Sequence, residues 1–257
     1  MLYVTHLLSP LLMLVLPLFL GFLLHRRLKV GWSLFGVGAL TFIGSQLLHI
    51  PFNAGLTALL ANKVVPAPPG DWTLWVNAAV LGLSAGLFEE VARYLVYRFG
   101  TNSARTWRGG LMFGAGHGGV EAMIVGALAG LAAMSMIALR ARGASAAPLP
   151  PELSAQLTAY WSHPWYYPLL GSLERVFVLC FHLSGAVLVL QVFTRRSLLW
   201  LGAAILWHAV FDAVALYTLA TVGLYWTEAV IGVGALLSVG MVFALKPARV
   251  EVVAQRR

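Results

Sequence analysis

Two hundred and fifty-seven residues that are 60% hydrophobic and only 10% charged, with a mean hydropathy of +0.84, leave too little polar surface to cover a water-soluble core, so the bilayer is the solvent. The formal net charge of +8 sits in short clusters between apolar stretches, which fits membrane topology and excludes the single basic stripe of a nucleic-acid binder. The one cysteine, Cys180, excludes a disulfide framework and a thiolate zinc site.

The first apolar run, from about Leu7 to Leu24, has neither a basic leader nor a small-residue cleavage site, and it stops at His25-Arg26-Arg27; it reads as a retained first helix. Runs of roughly 20 residues, enough to cross the hydrocarbon, recur near 31–60, 73–97, 109–139, 168–193, 197–220 and 222–245. The expected fold is all-α, a polytopic bundle of about seven or eight spans forming one integral membrane domain over residues 1–257. The second run is overlong and contains Pro51, which predicts a kink or an extension there.

Basic residues alternate between loops. Arg26, Arg27, Lys29, then Arg98, Arg105, Arg108, then Arg195, Arg196, and finally Lys246, Arg249, Arg256 and Arg257 fall in one set of loops; the other holds Lys63, Arg140 and Arg142. Because cytoplasmic loops retain positive charge, the N-terminus is expected outside and the C-terminus in the cytoplasm. Between Gly143 and Tyr167, Pro148, Pro150 and Pro151 precede Glu152, and the aromatic residues Tyr160, Trp161, Trp165, Tyr166 and Tyr167 follow. That pattern predicts a short helix, begun by Pro and Glu, lying at the outer interface as an aromatic anchor or as a gate for substrate. No internal repeat of the inverted-repeat transporter kind is visible.

Ionisable groups inside a span cost roughly 2.5–3.5 kcal/mol each, so each needs a partner or a task. Glu89, Glu90 and Arg93 fall in the third span, His117 and Glu121 in the fourth, Glu174, Arg175 and His182 in the fifth, and His208 and Asp212 in the sixth. With about 1.5 Å of rise per residue, Glu89, His117, Glu121, His182, His208 and Asp212 fall within one layer about 10 Å thick in the inner half of the bilayer. Glu174 lies higher and is expected either to pair separately with Arg175 or to line a channel above the site.

His117 and Glu121, like His208 and Asp212, are spaced to share one helix face, so each pair can hold one side of a metal ion or an activated water. Adjacent Glu89 and Glu90 diverge by about 100°, so one faces the site while the other turns to a neighbour, and Arg93 is within reach of either. Carboxylates beside imidazoles in a low-dielectric pocket suit amide hydrolysis. The same residues could instead serve as a proton relay in a coupled transporter, or pair within a non-catalytic scaffold. Gly114, Gly116, Gly118 and Gly119 around His117 allow close helix packing or leave room for a substrate backbone. His49 and Asn53 read as interhelical hydrogen bonding. His6, His25 and His163 are expected to be solvated near the interfaces, and Glu228, near the outer end of the last span, has no expected role.

Phe88-Glu89-Glu90-Val91-Ala92-Arg93, Phe113 followed by His117 and Gly118-Gly119-Val120-Glu121, and His208 followed by Asp212 together resemble the motifs of YhfC-type membrane proteins. These are similar to the wider clan of CaaX-prenyl endopeptidases, bacteriocin-processing and self-immunity proteins, and PrsW-type proteases. The resemblance implies an intramembrane protease of a bacterial cell membrane acting on peptide or membrane-protein substrates. It implies Glu89 and His117 as the water-activating pair and His208 with Asp212 as an oxyanion-stabilising pair. Asp212 stands where the clan has Asn, and Arg93 follows the second Glu more closely than in the CaaX-type motif. The catalytic set so expected is Glu89, Glu90, His117, His208 and Asp212. His117, Glu121, His182 and His208 are candidate ligands for a divalent metal, zinc by preference; Arg93, Glu174 and Arg175 are assigned to structural pairing.

Overall fold

The computed structural model describes residues 1–142 and 149–247. Pro148 and the basic residues Arg249, Arg256 and Arg257, used above for topology, lie outside them. Among the described residues there are eight α-helices and no strand: α1 (Leu2–Leu28), α2 (Trp32–Ala61), α3 (Thr73–Leu95), α4 (Trp107–Arg140), α5 (Pro151–Ser162), α6 (Tyr167–Thr194), α7 (Leu199–Val222) and α8 (Leu224–Ala244). All but α5 are long and apolar enough to cross a membrane, which gives seven spans among the described residues. A turn of 3₁₀ helix leads into α3 and a π turn over Val96–Gly100 ends it.

α6 is the central helix, with 72% of its apolar stretch buried against 17–39% for the other spans. It packs on α4, α8, α1, α7 and α3, while α4 lies against α1 and α2, and α3 pairs with α7. Without water, helices associate through close backbone approach, and glycines set it here. A Cβ on Gly116 of α4 would fall 1.9 Å from the Phe35 carbonyl oxygen of α2, and one on Gly82 of α3 would fall 2.4 Å from that of Ala209 on α7. Only glycine permits either approach. Pro51 removes one backbone donor, yet α2 runs unbroken through it for 30 residues, so the expected extension is realised.

The two ends of the bundle differ in their side chains. At one, the basic end, Arg105 stacks over Phe193 at 4.7 Å, Arg195 over Trp200 at 4.8 Å and Lys246 over Trp107 at 5.0 Å. The other is capped by α5, which begins with Pro151 and Glu152 as its sequence predicts. Trp161 packs on Tyr3 at 4.6 Å and Tyr160 stacks on His6 at 4.2 Å, with the Arg140 guanidinium over Trp161. Thr5 Oγ1 donates to the Trp165 carbonyl. His6, expected to be solvated, is instead 7% exposed, because α5 folds back over the start of α1 and covers it.

Candidate active site

α2, α3, α4, α6 and α7 bring their polar residues to one region. Glu89 Oε2 lies 3.0 Å from His117 Nε2, and Glu89 Oε1 accepts a hydrogen bond from Gln46 Nε2 at 3.1 Å. His208 Nε2 lies 3.8 Å from Glu89 Oε2 and 3.5 Å from Asp212 Oδ2, between the two carboxylates. Glu89, His208 and Asp212 line a cavity of about 110 Å³ together with Glu121, Arg175 and His182. That is room for a few waters, so a peptide enters only if the walls move apart.

Glu90 turns the other way and is fully buried. Arg93 Nη1 donates to its carboxylate at 2.9 Å, and His208 Nδ1 lies 2.7 Å from the same oxygen. Gly185 of α6 makes the room, since a Cβ there would stand 2.3 Å from Arg93 Nη1. The other amine of Arg93 donates to His182 Nδ1 at 2.6 Å, which leaves His182 Nε2 as the donor to Glu121 Oε2 at 2.5 Å. Gly118 matters for the same reason as Gly185. A Cβ there would lie 2.5 Å from His182 Cδ2, so this glycine seats an imidazole as well as a helix.

Glu121 also accepts from Arg175 Nη1 at 3.0 Å, and the other Arg175 amine binds Glu174. Glu174 is therefore not a separate pair: through Arg175, Glu121, His182 and Arg93 it is joined to Glu90 by an unbroken series of contacts. Glu228 differs more from its sequence reading. It is 6% exposed, and neither carboxylate oxygen has a partner.

Gln46 and Ser84 escaped the sequence reading, whereas His49 and Asn53 make the interhelical hydrogen bonds expected of them. Gln46 touches Glu89 directly, and behind it His49 Nδ1 lies 3.2 Å from Gln46 Oε1, Asn53 Nδ2 2.9 Å from His49 Nε2, and Ser84 Oγ donates to Asn53 Oδ1 at 3.1 Å. Each donor points toward the next acceptor, so the chain is polarised toward the Glu89 carboxylate. The signal was present, because Gln46, His49 and Asn53 share one helix face.

For a metal ion, the donor atoms of Glu89, His117 and His182 all lie within 4.8 Å of one another. His117 Nδ1 is buried with no partner. One carboxylate and two imidazoles are the kind of donor set that a catalytic zinc site uses while keeping a position open. The residues thus fit a divalent ion, provided His182 releases Arg93 or Glu121 to free a ring nitrogen. Glu121 and His208, expected as ligands, fall outside this group of three, and Glu89 falls inside it.

The profile of the family described as YhfC intramembrane metalloprotease matches residues 12–233. The chain belongs to the YhfC family. Its relative in Bacillus subtilis (strain 168), an uncharacterized membrane protein named YhfC, is 34% identical over 212 residues, which is 76% of this chain and 78% of the relative. No solved structure matches. This YhfC-family chain is thus an integral membrane protein with a bacterial relative, in a family whose description implies proteolysis and a divalent metal. All the polar contacts of the candidate site lie inside the matched region.

Proposed function

We propose that this chain hydrolyses peptide bonds within the membrane, with Glu89 and His117 as the pair that holds and activates water. The single observation that carries this reading is a cavity-lining carboxylate, Glu89, held 3.0 Å from the buried imidazole of His117, with the imidazoles of His182 and His208 in the same cavity wall. Glu89 accepts the proton of the attacking water, and His117 fixes the carboxylate and shares the developing charge. His208 Nδ1 is anchored on Glu90, so Nε2 is the atom that addresses the cavity, where a protonated ring donates to the oxyanion. Asp212, 3.5 Å away, orients that ring and steadies its charge rather than meeting the oxyanion itself.

Glu89, His117 and His182 would hold the ion, for which zinc suits the donors, and the bound ion would supply Lewis acidity toward the scissile carbonyl. Arg93 and Glu90 act on position only, by fixing His182 and His208. We place the basic end in the cytoplasm, because its loops hold most of the Lys and Arg.

The test is cleavage of a diverse peptide library by purified protein of known metal content, beside Glu89→Gln under the same conditions. Cleavage by wild type alone supports the reading. Equal cleavage by both proteins overturns it.

A further inference from the structure

Toward the capped end lies a second cavity, of about 380 Å³, with His6, Ser9, Met13, Ala129, Tyr160 and Gly171 in its wall. Its lining contains no carboxylate, lysine or arginine. Its walls are mostly apolar, and burial pushes the Tyr160 phenol above its ordinary range, so that ring stays neutral. Two polar atoms here are buried without a partner: His6 Nε2 and Ser9 Oγ. An orphaned buried polar atom is costly, and in a concave apolar pocket it marks a place where a ligand supplies the missing hydrogen bond.

This cavity is in line with the catalytic one. On α6, Gly171 belongs to the first, while Glu174, Arg175, Val178 and His182 belong to the second, at spacings that keep them on one helix face. α4 repeats the arrangement with Ala129 and Ala132 in the first and Glu121 in the second. On α8, Leu224 lines the first and Ile231 the second, and Glu228 stands between them on the same face with both oxygens unpartnered. Three orphaned groups, His6, Ser9 and Glu228, are therefore strung along a seam that ends at Glu89. A main chain, with its regular succession of N–H and C=O groups, is the ligand that can satisfy polar atoms so spaced without bringing a charge.

We propose that the cavity under α5 holds the distal part of an extended, apolar, uncharged peptide substrate whose main chain passes Glu228 to reach the catalytic cavity. The inference rests on the peptidase reading given above. α6 rises about 16 Å from Gly171 to His182, a distance that roughly five residues of extended chain cover. Substrates must reach about that far from the scissile bond to fill the cavity.

Two series of quenched fluorescent peptides, shortened residue by residue on one or the other side of the scissile bond, test it. In wild type, KM should fall about tenfold as one series is extended from two to five apolar residues, with kcat little changed, as expected for binding remote from the reaction. In Ala129→Trp, which fills the cavity, that gain should vanish, and in Ser9→Ala it should shrink by roughly threefold. A bulky residue could disturb the fold, so a separate measurement is direct reach: Ala132→Cys in a Cys180→Ala, Glu89→Gln background should be alkylated by a long peptide with a terminal haloacetyl group and spared by a short one. A KM independent of length in both series, or equal alkylation by long and short peptides, overturns the inference while cleavage itself stands. A co-purifying lipid that Ala129→Trp expels, with the length dependence intact, overturns it in favour of a lipid site. Failure of wild type to cleave any library peptide sinks the peptidase reading instead.

Discussion

Glu89 and Glu90 are adjacent in sequence and occupy opposite kinds of surroundings. Glu90 sits in a packed layer where Arg93 and His208 take up its carboxylate and no water reaches it. Glu89 stands at a cavity wall, hydrogen-bonded to one imidazole and one amide, with His208 and Arg93 farther off at 3.8 and 3.9 Å. A buried ion pair with every partner fixed is suited to holding geometry, whereas a carboxylate with spare acceptor capacity beside a cavity is suited to chemistry.

The largest effect should come from Glu89→Gln. Cleavage should drop by about two to four orders of magnitude with the melting temperature preserved, since Gln fills the same volume and is cheaper to hold in lipid. Glu90→Gln should do the reverse, leaving Arg93 uncompensated at a cost of about 3–5 kcal/mol, and Glu90→Gln with Arg93→Met should recover much of it. Denaturant titration in detergent reads this directly. A stable, inactive Glu90→Gln with an unstable Glu89→Gln would exchange the two roles.

Metal content sharpens the contrast. His117→Ala should lower bound metal to about a tenth of stoichiometric, because it removes one of three ligands, while His208→Ala should retain most of it. Elemental analysis decides, and loss in both would enlarge the ligand set. The smallest effect should be that of Gln46→Leu, which strips Glu89 of one oriented donor; kcat/KM should fall about tenfold without loss of the fold.

Much of this arrangement was legible in the sequence because helices obey simple rules. Seven apolar runs matched seven spans, the start of α5 followed from Pro151 and Glu152, and rise per residue brought Glu89, His117, His182, His208 and Asp212 to one depth. Spacing alone left Arg93 within reach of two carboxylates. Its choice depends on Gly185 of a distant helix, which makes room on the Glu90 side. Gln46 was missed because a single amide in an apolar run is cheap and common, and only contact with α3 gives it meaning. The burial of His6 follows from α5 folding back over α1, a tertiary event that no local periodicity encodes. Glu228 was read from its distance to the membrane surface, whereas its burial is set by α6 and α7 packing around α8.

The donor chain that ends on Glu89 is carried by α2, and α2 is 30 residues long. At about 1.5 Å per residue it measures roughly 45 Å, well beyond a hydrocarbon core of about 30 Å. A helix that long must tilt or protrude, and the angle depends on the thickness of the bilayer around it. Leu47, Leu48 and Ile50, beside the chain, are 71%, 66% and 63% exposed on the outside of the bundle. The expected consequence is a mechanical one: reconstitution into short-chain and long-chain lipids should change the tilt of α2, the register of Gln46 on Glu89, and with them the turnover rate.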